Sequence, residues 1–121
     1  MDTFEVAKQK RRSYRVRVDW TGTLETARGP VEATVRDISP EGAYIRCDQP
    51  LKITEPLRLT IRPPEREPIR VTGTVVWADC PAESTGPQVL GLRFTAILPE
   101  DRRFLEHFTS KQLRAKISSA A

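Results

Sequence analysis

The feature that most constrains this chain is a period of two. Tyr14, Val16, Val18 and Trp20 alternate with Arg15, Arg17 and Asp19, the pattern of a strand with one face in a core and the other in water. Arg28-Gly29-Pro30 interrupts the alternation, and Val31, Ala33 and Val35 resume it, which predicts a hairpin. A breaker, Asp37-Ile38-Ser39-Pro40-Glu41-Gly42, precedes a third short apolar run, Ala43 to Cys47. Further strands are predicted at Leu57, Leu59 and Ile61, at Ile69, Val71, Gly73, Val75 and Trp77, and over about Val89 to Phe94. Pro63-Pro64 and the stretch Cys80 to Pro87 act as connectors, since proline cannot donate to a central ladder. Six short strands joined by turn chemistry predict a mainly β chain, an antiparallel barrel or a sandwich.

The period changes near the C-terminus. Pro99-Glu100-Asp101 sets a proline and two acids where a helix start favours them. Phe104, Leu105 and Phe108 then recur at helical spacing and are predicted to dock on the sheet, with Leu113 and Ile117 extending that face. At 121 residues, the chain suits one compact domain. No apolar run approaches the roughly 20 residues that span a bilayer. Met1 to Lys10 has no apolar stretch of the signal-peptide kind, so a soluble cytoplasmic protein without membrane insertion is expected.

Several chemistries are disfavoured by composition. Cys47 and Cys80 stand far apart with no CxxC spacing and read best as two buried thiols, although a disulfide stays open. With His107 the only histidine, the usual four ligands of a zinc site are missing. No serine sits in a nucleophile elbow and no carboxylate pair has a suggestive spacing, so no enzymatic activity is expected. The formal charge of +4 leans weakly toward an anionic partner, because 16 acids are interleaved with 20 bases. The densest basic cluster is Lys8, Lys10, Arg11, Arg12, Arg15 and Arg17.

Two arginines four apart, Arg11 and Arg15, can serve a ligand with two phosphates. They lie about 13 Å apart in extended chain, less with a bend. Guanidinium binds phosphate through two parallel hydrogen bonds and also stacks on flat rings. A phosphorylated purine therefore suits the cluster, while a merely solvated basic N-terminus is the plainer alternative. In the second motif Asp37 can accept from a guanine Watson–Crick edge. Ser39 offers a hydroxyl there, and Gly42 permits close backbone approach or positive φ. An ordinary Asx turn between strands is the alternative.

Taken together, Arg11-Arg12-Ser13-Tyr14-Arg15 and Asp37-Ile38-Ser39-Pro40-Glu41-Gly42 resemble the RxxxR and [DN]xSxxG motifs of the PilZ domain family. The likeness extends from about Lys10 to Ala115 and includes Gly73-Thr74-Val75-Val76-Trp77 and Leu90-Gly91-Leu92-Arg93-Phe94. It implies a PilZ-like split barrel, six antiparallel strands with a C-terminal helix, that binds the bacterial second messenger cyclic di-GMP. It also implies a division of the chain into a flexible arm at 1–9, the domain at 10–115 and a frayed tail at 116–121. Arg11 and Arg15 would take the phosphates and the guanine Hoogsteen edge, and Arg12 would stack on a base. Asp37, Ser39 and Gly42 would hold one guanine. Lys10 replaces an arginine that many members carry, which bears on whether one ligand or a pair binds. Trp77 either lines the site or belongs to the core.

The resemblance further implies an arm, Met1 to Tyr14, that folds over the barrel on binding and alters the surface met by a downstream protein. Two rival readings remain open: a PilZ adaptor that binds only protein, and a small basic barrel that binds single-stranded nucleic acid. Only 7% of residues are aromatic, which argues against the second, because such barrels stack bases on exposed rings.

Overall fold

The computed structural model describes residues 15–49, 56–79 and 87–120. Six strands are followed by one helix: β1 (Val16–Thr26), β2 (Gly29–Ser39), β3 (Gly42–Cys47), β4 (Leu57–Arg62), β5 (Ile69–Asp79), β6 (Gln88–Ile97) and α1 (Pro99–Ala120). The strands close into an antiparallel barrel in the order β1-β2-β3-β6-β5-β4. Closure removes every free sheet edge, which resolves the sequence alternative of barrel or sandwich.

The interior is filled by the inward residues of each strand, among them Leu24, Val35, Ile38, Ile45, Leu59, Ile61, Ile69 and Leu90, all essentially inaccessible. Helix α1 covers the barrel at β1 and β2 through the three residues its spacing picked out. Leu105 is fully buried, and Phe104 and Phe108 pack on the core. Phe108 lies 5.1 Å from the Trp20 ring and 6.0 Å from Phe104. Asp101 does more than complement the helix dipole. It is buried and accepts a 2.8 Å hydrogen bond from Arg66 in the β4–β5 connection, while the Arg66 guanidinium lies 4.4 Å above the Phe104 ring. The helix runs to Ala120.

Two sequence readings are corrected. The breaker at Asp37–Gly42 is mostly strand: β2 runs through Ser39 and β3 starts at Gly42, leaving Pro40-Glu41 as the turn. Strict alternation along β5 places Trp77 on the face of Val71 and Val75, the core alternative of the two open to it. Instead a register shift between Val75 and Trp77 reverses the parity, and Trp77 emerges 46% exposed on the outside of the barrel. An equivalent shift between Val35 and Asp37 keeps Ile38 in the core and turns both Arg36 and Asp37 outward. An extra residue in one strand of a ladder re-aims its neighbours in this way.

Candidate functional site

The two parity reversals assemble a row of residues across the outside of the barrel. Reading along the ladders, Arg17 of β1 faces Asp37 of β2, which faces Tyr44 of β3, which faces Gly91 of β6, which faces Trp77 of β5. Gly91 explains how the row closes. A Cβ there would come within 3.2 Å of the Tyr44 ring and 3.3 Å of the Trp77 Cβ, so a side chain would require these neighbours to give by a few tenths of an ångström. With hydrogen in that place the rings lean together, their centroids 5.6 Å apart and their planes 18° from parallel. Offset stacking of this kind is a favoured aromatic geometry. Arg15, exposed at the mouth of β1, sets its guanidinium 4.3 Å from the Tyr44 ring centroid. The result is a flat aromatic surface with a guanidinium above it and the Asp37 carboxylate beside it.

The hairpin turn next to this row is rigid for reasons its residues make clear. Ser39 is buried, and its Oγ accepts hydrogen bonds from the amides of Glu41 and Gly42, both at 3.1 Å, while donating to the Gly42 carbonyl at 3.3 Å. The hydroxyl is committed to the turn, so its geometry assigns it to shaping the site. Gly42 is required by close approach, not by a positive φ: a Cβ there would overlap the carbonyl oxygen of Leu92 on β6. The Phe94 amide donates to the Glu41 carbonyl at 2.8 Å, which ties the turn to β6. Glu41 also pairs with Arg102 of α1 at 3.6 Å, an exposed contact that contributes little by itself.

Of the candidate site residues, the structure brings together Arg15, Asp37, Ser39, Gly42 and Trp77. Lys10, Arg11 and Arg12 lie outside the described residues, as do the arm and Cys80. Sequence reasoning passed over Tyr44 and Gly91. Tyr44 is the residue two places after Gly42, on the same outward parity, and that spacing was the available signal. Among the described residues there is no cluster of metal-ligating side chains, and no helix is long and apolar enough to cross a membrane.

Cys47 is buried opposite Gln88, on the inward face of β3. Burial, and then the neighbouring charge of Asp48, push its thiol from 9.0 up to about 11. It is therefore a packed apolar group at neutral pH, as the sequence suggested, and not a nucleophile. Because the folded state favours the protonated thiol, its stabilising contribution is complete below pH 9.0 and is lost as pH rises toward about 11. Urea unfolding of the wild type should weaken across that window by on the order of 2 kcal/mol more than unfolding of Cys47→Val. Equal weakening of the two proteins would contradict the assignment.

The sequence matches the profile of the PilZ domain over residues 9–111. The chain belongs to the PilZ domain family. Solved structures agree with this PilZ fold. The Bacillus subtilis inhibitor of motility MotI/DgrA superposes with a TM-score of 0.73 at 18% identity, over 87% of this chain and 52% of that one. Escherichia coli YcgR in complex with c-di-GMP gives 0.68 at 16% identity, over 92% and 49%. The isolated YcgR PilZ domain with c-di-GMP gives 0.67 at 15% identity, over 93% and 98%. The present chain thus spans about half of the MotI/DgrA chain and of the first YcgR chain, and nearly all of the YcgR PilZ domain. No protein with a curated description matches the sequence significantly.

Proposed function

We propose that this PilZ domain is a receptor for cyclic di-GMP and carries no catalytic activity. The observation that bears most weight is the outward row Asp37–Tyr44–Gly91–Trp77 with Arg15 poised over Tyr44. It offers the three things a cyclic purine dinucleotide needs. A carboxylate accepts from the guanine edge, a guanidinium meets phosphate or the Hoogsteen edge, and a flat aromatic surface borders a base. Structural neighbours solved with c-di-GMP support the reading. Arg11, Arg12 and Lys10 belong to the same proposal. They precede Arg15 closely enough to supply the second phosphate contact and a stacking group.

Binding proceeds, in this proposal, by closure of the arm, Met1 to Tyr14, over the row, and the reshaped surface passes the signal to a partner protein in the cytoplasm. Micromolar affinity corresponds to about −8 kcal/mol. A few charge-assisted hydrogen bonds of about 1.5–3 kcal/mol each, with base stacking, reach it after the ordering cost of the arm. Amide chemical shifts during titration with cyclic di-GMP test both parts. The largest changes should fall at Arg15, Asp37, Tyr44 and Gly91, with slowed amide exchange in residues 1–14. Shifts confined to β4, or unchanged exchange in the arm at saturation, would overturn the site or the closure respectively.

A further inference from the structure

Adjoining the aromatic row, and sharing Arg17 with its β1 end, the barrel carries a second feature that the nucleotide reading leaves unused. Arg17 and Asp19 of β1, Thr34 and Arg36 of β2 and Arg46 of β3 line an open groove of about 520 Å³, floored in part by Val18. Its position depends on two irregularities in adjacent ladders. Between Arg17 and Trp20, β1 carries one residue more than β2, and between Val35 and Asp37, β2 carries one residue more than β3. Alternation after the buried Val35 already points Arg36 outward, and the second irregularity keeps Asp37 outward beside it while Ile38 stays in the core.

Among the described residues no carboxylate forms an ion pair with Arg17 or Arg36. Arg46 meets Asp48 at 3.4 Å, but Asp48 is 83% exposed, and a pair so open to water is readily exchanged. Three like charges gathered on one patch repel one another and favour an anionic occupant.

We propose that this groove docks an acidic segment of a partner protein. Guanidinium groups recognise carboxylates through paired hydrogen bonds, so each arginine can seat one acidic side chain. The rest of the lining selects a polypeptide over a nucleic acid. Asp19 lies inside the groove and repels a phosphodiester backbone, which has no donor to offer it, whereas a peptide brings backbone N–H groups to both Asp19 and Thr34. No aromatic ring lines the groove, so bases would find nothing to stack on. The proposal gives a chemical character to the downstream partner, but its geometry stands without the cyclic di-GMP site.

Fluorescence anisotropy of a labelled hexaglutamate peptide, without nucleotide, tests it. Hexaglutamine and oligothymidine of equal length serve as comparison probes. Hexaglutamate should bind saturably, and Arg17→Glu/Arg36→Glu should weaken it about tenfold or more. Arg58→Glu/Arg70→Glu, which changes net charge equally on exposed positions of β4 and β5, should leave it within about twofold. Arg36→Gln and Arg46→Gln singly give a milder pair if the double reversal unfolds the barrel, and each should weaken binding. Equal losses in the two double variants would reduce the effect to net charge and overturn the proposal. So would absence of hexaglutamate binding, or tighter binding of oligothymidine sensitive to the same arginines. Cyclic di-GMP titration of the same wild-type protein reports on the receptor reading separately.

Discussion

Arg15→Ala should weaken cyclic di-GMP binding about 100-fold while leaving the barrel folded. The loss corresponds to about 3 kcal/mol, the size of one or two charge-assisted hydrogen bonds to a ligand. The fold should be indifferent because Arg15 is exposed and precedes β1, where its contact is the face of Tyr44. An exposed cation–π contact contributes only about 0.5–1 kcal/mol. Arg15→Lys should recover only part of the affinity, since an ammonium keeps the charge but lacks the planar fork that meets phosphate and guanine with two bonds. Calorimetric titration with a parallel thermal melt reads both quantities. Wild-type affinity in Arg15→Ala would remove this residue from the site.

Gly42→Ala should do the opposite and damage the fold first. Its Cβ would overlap the Leu92 carbonyl oxygen, which is backbone and can yield only if β3 and β6 separate. Overpacking in such a place costs about 3 kcal/mol, which for a domain of this size lowers the melting temperature on the order of 10 °C. The damage would spread to the site, because the same turn holds the Ser39 hydrogen bonds and fixes Asp37 opposite Tyr44. A melt within a few degrees of wild type would show that the close approach is not tight in solution. The two substitutions thus separate a group that touches ligand from one that builds the place where ligand sits.

The architecture was largely legible because period-two alternation and breaker residues are local signals. The six strands and the docking face of Phe104, Leu105 and Phe108 followed from them directly. The motif pair added Arg15, Asp37, Ser39 and Gly42 as site candidates. What the sequence hid were the register shifts. Nothing in Val35-Arg36-Asp37 or Val75-Val76-Trp77 announces an extra residue, since a bulge is a property of two paired strands and not of either alone. For that reason Trp77 read equally as core, and the Tyr44–Gly91–Trp77 contact could not be foreseen from three separate segments. The burial of Asp101 against Arg66 was hidden in the same way, because it joins positions 35 apart in the chain.

The receptor reading is tested most directly by isothermal titration of the wild-type chain with cyclic di-GMP. It predicts saturable heat with a dissociation constant in the micromolar range or below, and a stoichiometry that reports whether Lys10 permits one ligand or a pair. No heat, confirmed by unchanged tryptophan fluorescence at high ligand concentration, would contradict the account and leave the protein-binding adaptor as the better description of this PilZ domain.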